Sequence, residues 1–217
     1  MCDFFHSFND LLDCMFLKIK HISSSLFVCP DFHSRYVFLM TTEILSIHLQ
    51  RELRSDHAGE LGAVFIYRGM MQIAKLKNDK SLIAFAAAHG LTEAKHLAAI
   101  EDYLPAAQRS MLLVPWRIAG WLTGALPALF GSHAAYATVA SVETFVDQHY
   151  QQQIDHIERH GGHAQLLALL KECQADECHH RDEAANLAGH ASNFFVRAWC
   201  WLVGVGSAGA VVLARRI

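Results

Sequence analysis

Charge is scarce in this chain. Only 18% of its 217 residues are Asp, Glu, Lys or Arg, and the net charge is −3 with histidine neutral. With no basic excess, a nucleic-acid partner is excluded, because phosphate binding needs clustered Lys and Arg. Proline is scarce too, with four residues. Strict alternation of apolar and polar residues is rare, which argues against strands and for long helices. The six cysteines form no CxxC pair and no disulfide-like rhythm, so a reducing compartment is the simpler inference. No glycine-rich dinucleotide or flavin fingerprint is present. The N-terminus lacks the basic, apolar, small-residue order of a signal peptide.

What the chain does have is apolar mass and histidine. Hydrophobic residues make up 53% of it, and fifteen residues are His. That composition points to a greasy ligand or a membrane surface, and it invites a search for metal ligands. Residues 1–39 mix Phe, His, Cys, Asp and Lys without periodicity. They are expected to be a poorly ordered extension, and an over-long gene start is one reading of them. Residues 40–217 are expected to form the working domain. Helical periodicity and stop signals predict helices over about Glu43–Lys77, Lys80–Tyr103, Ser132–Gly161, Ala164–Gly189 and Asn193–Ala214, with Ser132 as an N-cap. A long apolar connection spans about Leu104 to Gly131. Two short-turn hairpins joined by one long crossover predict an all-α, ferritin-like four-helix bundle, accompanied by apolar membrane-associating helices.

Six residues carry the chemistry. The first predicted helix has a lone Glu60 and the second has Glu93-x-x-His96. The third has a lone Glu143 and the fourth has Glu177-x-x-His180. A Glu-x-x-His pair alone is weak, since ten Glu and fifteen His give about 0.7 such pairs by chance. The repeated order is more specific: 33 residues separate Glu60 from Glu93, and 34 separate Glu143 from Glu177. On a helix, i and i+3 share a face. The apolar stripes of the four helices (Leu53, Val64, Tyr67 and Met71; Leu82, Ala86, His89 and Ile100; Val139, Val142, Val146 and Tyr150; Leu166, Leu170, Cys173, Ala184 and Leu187) put all six toward the core. Those stripes offer no Lys or Arg partner, and burying lone carboxylates costs several kcal/mol each. Two divalent cations would cancel the four negative charges. Carboxylate and imidazole ligands without thiolate suit iron or manganese. By spacing, Asp56 lies one turn before Glu60 and can accept an imidazole N–H, while His149 and Tyr150 follow Glu143 by six and seven residues. His57, His89, His133, His163 and His179 have no strong case.

Two apolar stretches flank this pattern. Leu112–Phe130 contains Pro115, Arg117 and Pro127 and is poorly suited to spanning a bilayer as one helix. Ala198–Ala214 is uncharged over 17 residues, at the short end for a span. Trp116, Trp121, Trp199 and Trp201 lie in these stretches, as interface-seeking residues would. Insertion into one leaflet is expected. Packing of the two stretches on each other or on a second subunit is the competing possibility.

The segment Ser55-Asp56-His57-Ala58-Gly59-Glu60-Leu61-Gly62-Ala63 resembles the demethoxyubiquinone hydroxylase family. So do the Glu93/His96 pair, Leu113-Val114-Pro115-Trp116, Val142-Glu143 with His149-Tyr150, and Asp176-Glu177 with His179-His180. The resemblance runs from about Ile47 to the C-terminus. It implies a membrane-associated di-iron monooxygenase of ubiquinone biosynthesis, with two iron ions per chain. Its substrates would be O₂ and a polyprenylated methoxy-methyl-benzoquinol, with electrons from a nicotinamide donor or the quinone itself. It implies Glu60, Glu93, His96, Glu143, Glu177 and His180 as iron ligands, and Asp56, His149 and Tyr67 as groups beside the ligands or the substrate. It also implies a place on the cytoplasmic face of a bacterial membrane, or on the inner mitochondrial membrane. Partner proteins of the same pathway or self-association would accompany it. Two other readings compete: a rubrerythrin- or ferritin-like protein handling iron or peroxide, and a non-enzymatic membrane protein with an accidental Glu/His pattern.

Overall fold

The computed structural model describes residues 45–189 and 193–217. The extension expected over residues 1–39 lies outside the described residues. Among the described residues there are six α-helices and no strand: α1 (Ile47–Leu76), α2 (Lys80–Tyr103), α3 (Leu113–Phe130), α4 (Ser132–His160), α5 (Ala164–Ala188) and α6 (Phe194–Ala214), with a 3₁₀ turn at Ala106–Gln108.

Local chemistry sets the ends. Ser46 Oγ accepts from Leu49 N at 3.2 Å and starts α1. Asn78, at φ 55°, turns the chain, and Asp79 Oδ1 then accepts from Leu82 N at 3.0 Å to start α2. Asn and Asp tolerate and cap such a turn at little cost. Gly161 and Gly162, at φ 75° and 81°, end α4, and Gly189 ends α5. Asn193 Oδ1 accepts from Phe195 N and starts α6. Ser132 is the first helical residue of α4 and not its N-cap. Gly131 takes that place at φ 125°, where only glycine is unstrained.

Helices α1 and α2 form one antiparallel hairpin and α4 and α5 the other, and α3 is the crossover of a four-helix bundle. The stripes read from the sequence are buried, except that Met71 and Val146 are half-buried and Leu187 is exposed. Leu187 lies in the last turn of α5, where its neighbour Ala188 packs against the core instead. The two hairpins approach each other less closely than the helices within each. One apolar cluster, around Met70, Phe85 and Val139, lies toward one end of the bundle, and a second, around Leu53, Ile100 and Leu170, toward the other.

The crossover is an unbroken 18-residue helix. Pro115 sits in its first turn, where a missing N–H costs nothing, and Pro127 in its last. It packs backbone to backbone on α1. A Cβ added at Gly120 would fall 2.3 Å from the Gly62 carbonyl oxygen, and one at Gly124 would fall 1.9 Å from that of Ile66. Lys77 Nζ donates to the Ala128 and Leu129 carbonyls at 3.1 and 3.0 Å and closes the end of α3.

Helix α6 lies against α4 and α1. Trp199 Nε1 donates to Thr138 Oγ1 at 3.0 Å, and Arg215 Nε and Nη2 donate to the buried Glu52 carboxylate at 2.9 and 2.6 Å. Ala214 is its one fully buried residue. The helix is long and apolar enough to cross a membrane by length and composition.

Candidate metal centre

The i, i+3 spacing on α2 and α5 turns His96 and His180 to the same side as Glu93 and Glu177, while α1 and α4 bring Glu60 and Glu143 from the opposite wall. All six side chains are buried, each 5% exposed or less. Their donor atoms gather into two groups, each within 4.8 Å: Glu60, Glu93, His96 and Glu177; and Glu93, Glu143, Glu177 and His180. Glu93 and Glu177 belong to both. Glu177 shows how it is shared, because its Oε1 faces His96 Nδ1 at 3.0 Å and its Oε2 faces His180 Nδ1 at 3.1 Å.

The donor set fits two divalent cations. Glu60 Oε2 and Glu93 Oε1 are buried without a hydrogen-bond partner, although Glu93 Oε1 lies 3.0 Å from His180 Nδ1. Buried carboxylate oxygens left unpaired are costly, and a cation is the partner they lack. The titration behaviour carries the same message. Burial, then the Glu177 charge, pushes Glu60 up to about 7. Burial and the neighbouring carboxylates hold Glu93 and Glu143 well above the usual range. Burial would raise Glu177 too, yet hydrogen bonds from His180 and His96 bring it below its ordinary value. His96 reaches about 9: burial opposes its charge, but contacts with Glu177 and Glu60 outweigh it. Protons thus stand in for positive charge at this site, and two cations would keep all four carboxylates ionised.

The surrounding side chains repeat the two-hairpin symmetry. Tyr150 O–H on α4 donates to Glu60 on α1, and Tyr67 O–H on α1 donates to Glu143 on α4 at 3.4 Å. Each tyrosine lies seven residues after the lone Glu of its own helix. Asp56 Oδ1 accepts from His149 Nε2 at 2.9 Å and from Gln153 Nε2 at 2.8 Å. Asp56 therefore holds the His149 imidazole, and neither candidate ligand imidazole. The carboxylate on a ligand imidazole is Asp176, whose Oδ2 lies 3.1 Å from His96 Nε2. Such a carboxylate fixes the ring and leaves Nδ1 for a metal. The sequence signal for Asp176 was only its place beside Glu177, and for Gln153 there was none. Of the histidines without a case, His57 is buried against Glu101 at 3.0 Å and His89 is buried against Glu183 at 3.0 Å.

A cavity of about 390 Å³ opens onto Glu60, Glu93, Glu143 and Glu177. Asp56, His149 and Tyr150 line its polar end. Its walls are Ala119, Gly120 and Thr123 of α3 and Leu202, Val203 and Gly206 of α6. The volume lies in the range of small-molecule sites, about 300–1,000 Å³.

The sequence that builds these hairpins and their carboxylate cluster matches known proteins. The family profile described as "Ubiquinone biosynthesis protein COQ7" matches residues 47–214. The chain belongs to the COQ7 family. Among curated relatives, it is 27% identical over 173 residues to a Caenorhabditis elegans protein named NADPH-dependent 3-demethoxyubiquinone 3-hydroxylase, mitochondrial, a stretch that covers 78% of this chain and 90% of the relative. It is 37% identical over 137 residues to the 3-demethoxyubiquinol 3-hydroxylase of Rhodospirillum rubrum, covering 62% of each. A Legionella pneumophila protein of that name is 33% identical over 139 residues, covering 63% of each. The match to the COQ7 profile takes in all six candidate ligands and both apolar helices, α3 and α6.

Proposed function

We propose that this protein is a di-iron monooxygenase that hydroxylates the ring of a polyprenylated demethoxyubiquinol, using O₂, at a membrane surface. The observation that carries the reading is the cavity: four buried carboxylates form its inner end, and the two most apolar helices form its walls. Family membership supports the pathway.

Glu60 and His96 would hold one iron, Glu143 and His180 the other, with Glu93 and Glu177 between them. Iron held there would supply the two-electron reduction of O₂; with two electrons and two protons taken up, one oxygen atom would go between the ring carbon and its hydrogen as the new hydroxyl and the other would leave as water. The remaining work belongs to the chain. The Tyr67 and Tyr150 hydroxyls pin the two lone glutamates and keep their geometry fixed. Asp56, held between His149 and Gln153, provides a polar edge beside the ring's hydroxyl groups. The α3 and α6 walls exclude water from the reacting carbon and give the polyprenyl tail an apolar exit. Electrons come from a nicotinamide donor or from the quinol.

Membrane attachment is argued from the outer faces of the same two helices. Val114, Ile118 and Phe130 on α3 and Phe195, Trp201 and Val205 on α6 are exposed. An apolar face of this kind suits burial in one leaflet, on the cytoplasmic side. A soluble iron store or peroxide scavenger has no use for it.

Complementation of a strain blocked at demethoxyubiquinone, read by lipid mass spectrometry, tests the proposal. Restored ubiquinone by the wild type, but not by Glu143→Ala, is the expected result. Accumulated demethoxyubiquinone despite membrane-bound, iron-loaded protein would overturn it.

A further inference from the structure

Two arginines outside the candidate metal centre share one aromatic ring and meet no anion. Phe65 and Arg68 lie on one face of α1, and Arg117 comes from α3. The Arg68 guanidinium carbon lies 4.7 Å from the Phe65 ring centroid, and that of Arg117 lies 5.8 Å from it. Such contacts attract a cation to the ring face. Among the described residues, neither guanidinium has an ion pair or a hydrogen-bond acceptor. Nearby arginines are occupied. Arg54, about three turns earlier on the same face of α1, donates to the Gln108 carbonyl at 2.6 Å, and Arg109 meets Glu101 at 2.7 Å. Arg117 is exposed, whereas Arg68 is half-buried. Burial, then the Arg117 charge, lowers Arg68 from its ordinary value. Two like charges are thus held together with nothing negative between them, and that costs free energy until an anion completes the set.

We propose that Arg68 and Arg117 clamp the phosphate of an anionic phospholipid where α3 meets the leaflet. The proposal rests on the membrane reading above. A guanidinium presents a planar fork that matches phosphate oxygens, and two forks can grip one phosphate from two sides. An anionic headgroup fits better than a zwitterionic one, whose own cation would face the arginines.

The surroundings favour a lipid over a free phosphate ion. Val114 and Ile118 flank Arg117 on the surface of α3 and are 60% and 56% exposed. Acyl chains lying on them would bring a headgroup to the height of Arg117. Trp116 and Trp121 stand beside it, and indoles favour the membrane interface. Trp121 Nε1 donates at 2.8 Å to Gln72 Oε1, one turn beyond Arg68. A soluble anion would gain nothing from these apolar neighbours. The clamp is also preorganised. Helices α1 and α3 meet backbone to backbone at Gly62 and Gly120, so the two arms cannot drift apart.

The test is flotation of the full-length protein with two kinds of vesicle: phosphatidylcholine alone, and phosphatidylcholine mixed with phosphatidylglycerol. Arg68→Gln and Arg117→Gln are each expected to bind the mixed vesicles about fivefold more weakly than wild type, and to bind pure phosphatidylcholine as wild type does. Arg159→Gln removes the same charge from the last turn of α4 and is expected to keep wild-type binding to both. Each clamp variant removes a repulsion, so neither is expected to melt below wild type, which separates lost binding from misfolding. Unchanged binding of both clamp variants to mixed vesicles would overturn the inference. An equal loss in Arg159→Gln would overturn it too, as a diffuse effect of charge. So would release of wild type from mixed vesicles by inorganic phosphate at constant ionic strength, which would assign the clamp to a free anion. Wild type that floats with neither vesicle would strike the membrane reading itself, and the inference with it.

Discussion

At the scale of single residues, the six candidate ligands are not equivalent. Glu93 and Glu177 belong to both donor groups, whereas Glu143 belongs to one. Glu177→Ala is therefore expected to abolish binding of both ions, while Glu143→Ala abolishes hydroxylation but retains close to one ion per chain. Elemental analysis beside circular dichroism distinguishes the two, and equal metal content in both variants would refute the sharing. That these six side chains would gather in one interior was legible because repetition carries information that a single motif does not: lone Glu, short turn, Glu-x-x-His, twice over. The residues around it were less legible. Asp176, Gln153 and the His89–Glu183 pair act across helices, and contacts between helices have no fixed sequence interval. The tyrosines fall between these cases, since Tyr67 and Tyr150 share the same offset from Glu60 and Glu143 yet reach across to the opposite helix.

At the scale of elements, helix ends were readable at Asp79, Gly161-Gly162 and Asn193, whereas the start of α4 was assigned to Ser132 although Gly131 holds it. The crossover was not read as a helix because Pro115 and Pro127 look like breaks; Pro115 falls in the first turn, where its missing N–H costs nothing, while Pro127 lies inside the helix and leaves one carbonyl a turn earlier without its helical N–H. Its contact with α1 depends on missing side chains. Gly124→Ala would put a Cβ against the Ile66 carbonyl, and helix backbones cannot yield as a flexible side chain can. Such overpacking costs about 1–3 kcal/mol, so a lower denaturation midpoint with unchanged slope is expected in urea. Helix α6 makes a different prediction. Phe195→Asp with Trp201→Asp alters exposed positions only. Flotation with anionic vesicles should fall sharply while metal content stays at the wild-type level. Undiminished vesicle binding would remove α6 as the attachment face.

At the scale of the whole molecule, the carboxylate cluster draws on both hairpins, which otherwise approach less closely than the helices within each, so a bound metal would also be a folding term. The sign with pH follows from the shifted groups. Glu60 has an ordinary value of 4.5 and reaches about 7 in the folded, metal-free chain. His96 moves from 6.5 to about 9. Both values are raised, so the folded state holds these protons more tightly. The stability they contribute is complete at low pH and is lost as pH rises, from about 4.5 for Glu60 and from 6.5 through about 9 for His96. Metal-free protein is thus expected to lose several degrees of melting temperature between pH 5 and pH 9, whereas the loaded protein keeps a flat profile there. Parallel profiles for the two forms would show that protons do not substitute for cations in the interior.

The glycines of the crossover bear on where chemistry happens relative to lipid. Gly120 and Gly124 lock α3 onto α1 at Gly62 and Ile66, two and six residues beyond Glu60. The greasy outer edge of α3 is consequently keyed to the helix that carries the candidate ligand Glu60 by direct main-chain contact, with no side chain between to flex. For the proposed attachment to one leaflet this amounts to a depth gauge: the interval between the acyl chains and the carboxylate cluster would be set by two absent methyl groups.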